Sequence, residues 1–204
     1  MKNFLTVSIV LYRTEVIEIT KTIRSILSSV QDLTLYLIDN SPKDDLKVLR
    51  EFDSRIKYFH NPSNPGFGAA HNIAIQKAMQ VGVKYHFIVN PDIYFEGDVI
   101  SSMLEYLVND TKIGMMMPQI LNDDGSIQNL PKLLPSPFSI LKRKIAKPTK
   151  LFQNFINKYE LREVPQDMIY NAPVLSGCFT LLNLDAVKKV GMYDDSFFMY
   201  FEDW

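Results

Sequence analysis

The feature that most constrains this chain is an alternation, through its first half, of short β-rich runs with amphipathic helical patterns. β-Branched and aromatic residues gather over residues 5–12, 34–38, 56–59 and 85–89, runs too short for ordinary helices. Between the first two, Val16, Ile19, Ile23, Ile26, Leu27 and Val30 recur at helical spacing. A second helical pattern covers residues 69–81, with Ile73, Ala74, Ala78 and Val81 expected inward. A third covers residues 98–108, with Ile100, Leu104 and Leu107 on one face. The alternation predicts an α/β fold, a mainly parallel twisted sheet flanked by helices. Right-handed crossovers then bring the C-terminal ends of the strands to one edge, where open α/β sheets bind their ligands.

The second half departs from this rhythm. Residues 113–120 read as a strand, and the turn Asn122-Asp123-Asp124-Gly125 predicts a hairpin. A Pro-interrupted basic stretch follows. Residues 174–182 resume as a strand, and residues 185–190 make a short helix before Gly191. A length of 204 residues fits one domain, residues 1–204, with residues 131–173 as a variable basic insertion within it.

Composition removes several classes. Cys178 is the single cysteine and lies in an apolar run, so it reads as a small core residue and not as part of a disulfide or thiolate metal site. The three histidines, His60, His71 and His86, lack zinc-type spacing. Met1-Lys2-Asn3 leads straight into a β-rich run without a secretory signal pattern, and no apolar run is long enough to span a bilayer. A reducing cytoplasm is the expected compartment.

Three polar signatures follow predicted strand ends. Asp39-Asn40-Ser41 offers a carboxylate that can accept from a ribose hydroxyl or a base N–H, or can simply bond its own turn. Asn64-Pro65-Gly66-Phe67-Gly68 enters a helix through small residues, which let backbone approach a ligand or merely cap the helix. It is neither a dinucleotide fingerprint nor a P-loop. Asn90-Pro91-Asp92 supplies one carboxylate for a hard dication, enough where a diphosphate brings the other oxygens, or it is a turn. A fourth signature closes the sequence: Glu202-Asp203 after Phe197-Phe198-Met199-Tyr200-Phe201. Aromatic surroundings raise a carboxylate's pKa and suit it to general-base work, although an acidic pair can also be plain solvated surface.

Taken together, in order and strand context, these pieces resemble glycosyltransferase family 2, the inverting enzymes of the GT-A fold. The likeness is strongest to bacterial rhamnosyltransferase-like members, which show Asp-Asn-Ser, Asn-x-Gly-Phe-Gly, Asn-Pro-Asp and a late Gly-x-Phe followed by Phe-Phe-Met-Tyr-Phe-Glu-Asp. It extends from Val7 to Trp204.

The resemblance implies a nucleoside-diphosphate sugar donor, dTDP-rhamnose or a UDP-sugar. The acceptor would be a hydroxyl of a growing surface polysaccharide, such as lipopolysaccharide, or of a polyprenyl-linked oligosaccharide. It implies that Tyr12, Asp39, Asn64, Gly66, Phe67, Asn72 and Asn90 face the donor, and that Asp92 binds Mg2+ or Mn2+. Gly177, Cys178 and Glu202 fall on the sugar or acceptor side, and Asp203 is the catalytic base. The family pattern normally continues past Glu-Asp with an Asp-Leu pair, an Arg and a metal-binding His. The expectation is therefore a C-terminally truncated enzyme, the alternative an inactive remnant that retains nucleotide binding only. A nucleotidyltransferase fits less well, because no Gly-rich loop with a basic triphosphate-binding residue follows the first strand.

The net charge of −1 hides an asymmetry: seven basic residues and no acids lie between Lys132 and Lys158. Interleaved apolar residues suit either peripheral contact with the inner face of the cell membrane or an ordinary surface insertion, and Pro135, Pro137 and Pro148 prevent one long helix. Nucleic acid is not an expected partner, since the chain as a whole is not basic.

Overall fold

A computed structural model describes residues 5–134 and 150–199. Contacts divide the chain into two compact units, Met1–Pro118 with Gly177–Trp204, and Gln119–Ser176.

The first unit is built on a six-stranded sheet in the order β3-β2-β1-β4-β8-β5. Strands β1 (Leu5–Leu11), β2 (Leu33–Asp39), β3 (Ile56–His60) and β4 (Tyr85–Val89) run parallel. β8 (Phe179–Asn183) is antiparallel to β4, with Val89 opposite Phe179, and also to β5 (Met115–Met116). β1, at the centre, is almost wholly buried, as are β2, β4 and β8. Burial on both faces explains why these strands read as near-continuous apolar runs instead of alternating ones.

Helix α1 (Val16–Ser29) buries Ile19, Thr22, Ile23 and Ile26, and α3 (Val99–Asn109) buries Ile100, Met103, Leu104 and Leu107. α2 (Phe67–Val81) buries Ala70, Ala74, Ile75 and Ala78 and stops at left-handed Gly82, whose N–H bonds the carbonyls of Ala78 and Met79. Val81, expected inward, is exposed at this last helical position, and Ile75 takes an inward place instead. A 3-10 helix, Asp45–Glu51, fills the β2–β3 connection and buries Leu46 and Leu49. The short α5 (Leu184–Val190) starts under a cap from Asn183, whose side chain accepts the N–H of Asp185.

Two expected strands are shorter than their sequence runs. Residues 113–120 supply only Met115–Met116 to the sheet, and β8 begins at Phe179 because the preceding Gly177 and Cys178 sit at the rim opposite β4's end.

The second unit contains the predicted hairpin, β6 (Ile120–Leu121) against β7 (Ile127–Gln128). Its turn is closed by Gly125 N–H to Asn122 O at 2.9 Å, with Gly125 in the left-handed region at φ 81°. Val174, expected to begin a sheet strand, instead bridges Lys132. α4 (Lys150–Tyr159) ends where the Tyr159 carbonyl accepts the N–H of Leu133. Among the described residues no helix is long and apolar enough to cross a membrane.

Candidate active site

Parallel pairing of β1 to β4 brings the residues after Leu11, Asp39, His60 and Val89 to one edge, and the antiparallel β8 delivers its entry residues to the same edge. Backbone bonds stitch these ends together. Asn40 N–H reaches Leu11 O at 2.8 Å, Asn61 N–H reaches Asp39 O at 2.7 Å, and Asn90 N–H reaches Cys178 O at 2.8 Å. Tyr12, Asp39, Asn90, Gly177 and Cys178 are thereby gathered from sequence positions far apart.

At the end of β2, Asp39 is fully buried. Its Oδ1 accepts the N–H of Ser41 at 2.9 Å, and its Oδ2 accepts the Tyr58 hydroxyl at 2.6 Å. The same hydroxyl stands 2.8 Å from Asp44 Oδ1, so one phenolic proton lies between two carboxylates. Burial, and then the bonds to these two acids, hold the Tyr58 phenol far above its ordinary pKa. Ser41 continues the network: its Oγ accepts from Arg13 N–H at 2.8 Å. Arg13 takes a left-handed conformation, φ 53°, with its guanidinium 5.3 Å from the ring centroid of exposed Tyr12.

The loop into α2 is tighter than its composition suggests. Asn64 (φ 45°) and Gly66 (φ 104°) are both left-handed, and Asn64 N–H bonds Asn61 O at 3.2 Å. A Cβ on Gly66 would lie 2.1 Å from the Phe198 carbonyl oxygen, so no side chain fits. That carbonyl accepts the Phe67 N–H at 3.0 Å, replacing the side-chain cap that α2 lacks. Of the N–H groups expected to attract an anion here, this first one is therefore occupied. The Phe67 ring lies edge-on to His71 at 4.4 Å, and a Cβ on Gly177 would come within 3.2 Å of it. Asn72, buried, uses both ends of its amide on one residue: Nδ2 donates to Tyr193 O at 2.8 Å and Oδ1 accepts Tyr193 N–H at 3.1 Å.

The end of β4 is different in kind. Asp92 is exposed, while the carbonyl oxygen of the Asn90 side chain is buried with no hydrogen-bond partner. The turn is fastened from α1, whose Thr22 hydroxyl donates to Pro91 O at 2.6 Å. Among the described residues no three of His, Cys, Asp and Glu converge into a metal cage. One exposed carboxylate fits a dication that takes most of its ligands from a diphosphate.

Behind the rim runs a polar chain that the sequence reading missed. Ser8 Oγ lies 2.8 Å from His71 Nδ1 and 2.8 Å from His86 Nε2, and Thr6 Oγ1 lies 2.7 Å from His86 Nδ1, all fully buried. Ser8 Oγ also lies 3.4 Å from the Phe87 carbonyl, to which it donates, so it has one proton and three neighbours and at least one ring must donate to it. Burial holds both rings neutral: His86 is lowered to about 3, and His71 well below its ordinary value, with repulsion from His86 adding to desolvation. The signal was present, since Thr6 and Ser8 are alternate polar residues in an otherwise apolar strand and Thr6 pairs in register with His86. Glu202 and Asp203, expected as acceptor-side residue and base, lie outside the described residues.

The mixed sheet, mainly parallel and flanked by helices, has the architecture of the GT-A fold. The model of "Glycosyl transferase family 2" matches residues 7–191, and the chain belongs to that family. A curated relative, the low-salt glycan biosynthesis hexosyltransferase Agl10 of Haloferax volcanii, is 25% identical over 209 residues, covering 100% of this chain and 60% of the relative. Two solved structures share the fold at 14% identity. The mannosyltransferase PcManGT from Pyrobaculum calidifontis, in complex with GDP-Man and Mn2+, has a TM-score of 0.62 over 96% of this chain and 48% of its own. S. aureus TarS 1-349 has a TM-score of 0.63 over 100% of this chain and 53% of its own. The chain thus spans about half to 60% of the length of these proteins.

Proposed function

We propose that this chain acts as an inverting, metal-dependent hexosyltransferase in glycan assembly, with a nucleoside-diphosphate deoxyhexose such as dTDP-rhamnose as the favoured donor and a UDP-sugar as the competitor. The observation that carries the reading is the rim itself: exposed Tyr12, the exposed Asp92 carboxylate, the unpartnered Asn90 oxygen and the Gly177-Cys178 entry to β8 meet on one edge of a family 2 chain. Hexose transfer is supported by the haloarchaeal hexosyltransferase, and a sugar nucleotide with Mn2+ by the mannosyltransferase complex.

In this reading Tyr12 offers a flat aromatic surface to the base. Asp92 would hold Mg2+ or Mn2+, with the Asn90 side-chain oxygen as a further neutral oxygen at the same strand end. When bound, the cation offsets the negative charge that builds on the departing diphosphate. Asp203 takes the proton of the acceptor hydroxyl as its oxygen bonds to the anomeric carbon. The bond from that carbon to the diphosphate breaks in line, and its electron pair leaves with the nucleoside diphosphate. The protein works in the cytoplasm, at the inner face of the membrane where the acceptor is a polyprenyl-linked glycan.

Calorimetric titration with dTDP, UDP and GDP, each with and without Mn2+, tests the donor half. Binding to one of them that strengthens with Mn2+ is expected. No binding to any, with metal present, rejects the reading.

A further inference from the structure

The family-like motif over residues 64–72 reads from sequence as a surface turned to the donor. Its geometry turns it toward the protein's own later segment. Gly66 has no room for a Cβ because the Phe198 carbonyl oxygen would lie 2.1 Å away. Phe67 N–H donates to that carbonyl at 3.0 Å. Asn72 grips the main chain of Tyr193 through both amide atoms, at 2.8 and 3.1 Å. The rings of Phe67 and Tyr193 meet at 6.5 Å, edge to face.

Beyond these grips, Tyr193 packs half-buried against the core cluster that holds Ile75, Ala78 and Val83, and the residues after it are exposed. Phe197, Phe198 and Met199 are 42%, 57% and 50% exposed, so their side chains do not anchor it in the core. Between the two grips the chain folds on itself, Asp194 Oδ1 accepting from Ser196 N–H and Oγ. Both carbonyl-side and N–H-side contacts come from one rigid element, the first turns of α2. An amide at position 72 matters here because Tyr193 presents one main-chain donor and one main-chain acceptor, and a carboxamide answers both with two atoms of one planar group.

We propose that Gly66, Phe67 and Asn72 form a main-chain clasp that fixes residues 193–198, and through them sets where the following Glu202-Asp203 pair begins. Asn72 is then a positioning residue for the base and not a contact to the donor. The inference rests on the base assignment under the proposed function. A carboxylate misplaced by about 1 Å costs roughly a hundredfold in rate while leaving donor binding alone, so the clasp is expected to act on turnover and not on affinity.

The test compares Asn72→Ala, Asn72→Asp and Gly66→Ala with the unaltered chain by hydrogen exchange, with UDP and dTDP plus Mn2+ as binding probes. Asn72→Ala removes both bonds to Tyr193, and Asn72→Asp keeps only the acceptor. The expected result is exchange over residues 193–199 faster by roughly tenfold or more in Asn72→Ala and Gly66→Ala, and by less in Asn72→Asp. Probe affinity stays within about twofold. Where transfer is measured, kcat falls and the donor KM does not. Unchanged exchange over residues 193–199 overturns the clasp. So does a tenfold loss of probe affinity with exchange unchanged elsewhere in α2, because that outcome makes Asn72 a donor contact. A wild-type chain that binds neither probe rejects the proposed function while the exchange comparison still decides the clasp.

Discussion

Two strand ends of this sheet look alike in sequence and differ in structure. β2 ends in Asp39-Asn40-Ser41 and β4 runs into Asn90-Pro91-Asp92. The first acid is fully buried, with one oxygen on the Ser41 N–H and the other on the Tyr58 hydroxyl. The second is exposed, and the amide oxygen two residues before it is buried without a partner. The difference teaches that two alike strand-end motifs can leave one carboxylate bonded within the fold and the other open to solvent. Burial and hydrogen-bond occupancy distinguish them, and position along the sheet does not.

The largest effect that would break this comparison is loss of stability at the β2 end. Asp39→Ala leaves the Ser41 N–H without its acceptor in a buried turn and takes away one of Tyr58's two partners. Urea unfolding is expected to show a loss of about 3 kcal/mol, because an orphaned buried donor loses its full solvation. A change under about 0.5 kcal/mol, typical of surface sites, would put Asp39 in the same class as Asp92.

The β4 end depends on the dry strand behind it, and acid is the lever. His86 lies in β4 and His71 in α2, joined through Ser8, and burial lowers both. An unfolded histidine takes a proton near pH 6.5, whereas folded His86 does so only at about 3. Between those values the unfolded state binds more protons, so stability falls as pH falls, by up to ~1.4 kcal/mol per unit for each ring. Fluorescence-monitored unfolding from pH 7 to 4 should show this slope, and His71→Gln should reduce it to the share that His86 contributes. A stability profile that is level across that range would mean the histidines are not buried neutral.

How much of this was legible follows from which partners are local. β4 was read to the residue, and the β1, β2 and β3 boundaries to within one residue, because apolar runs bounded by turn residues are a local signal. Asp39 kept two readings open because an Asx turn and a ligand carboxylate need the same Asp-x-Ser. The Tyr58 hydroxyl, brought over by β3, is a partner of Asp39 that no window around residue 39 contains. Gly66 was legible as a place of close approach, but the approaching group is the Phe198 carbonyl, which no window around residue 66 contains. Asn72, expected to face the donor, bonds a Tyr193 main chain that comes from beyond β8 and that no window around residue 72 contains. The histidines were weighed only against zinc spacing. Ring nitrogens that pair with Ser8 and Thr6 across a parallel ladder obey the register of strands, not spacing in sequence.

A smaller effect sharpens the contrast within the β2 end. Tyr58→Phe removes one hydroxyl from between two carboxylates and leaves the Ser41 bond to Asp39 in place. The expected loss is about 1 kcal/mol by the same unfolding assay, the ordinary net worth of a hydrogen bond. A loss as large as that of Asp39→Ala would mean that Tyr58, and not the Ser41 turn, is what the buried acid holds.

The smallest effect on stability belongs to Asp92, and there it carries the most information. Its carboxylate is exposed, and the turn around it is held by groups that substitution leaves untouched, Thr22 to the Pro91 carbonyl and Ile93 N–H to Asn90 O at 3.2 Å. Asp92→Ala should therefore shift unfolding by less than about 0.5 kcal/mol. The same variant should lose the Mn2+-dependent part of nucleoside-diphosphate binding, because the unpartnered Asn90 oxygen alone offers a dication one neutral ligand. Asn90→Ala separates the two contributions by removing the neutral oxygen and keeping the charge. If Asp92→Ala leaves the Mn2+ enhancement intact, the cation is held elsewhere and the open end of β4 is a turn like that of β2. If it abolishes the enhancement with stability unchanged, the two strand ends divide the labour, one carboxylate keeping the edge in shape and the other meeting the ligand.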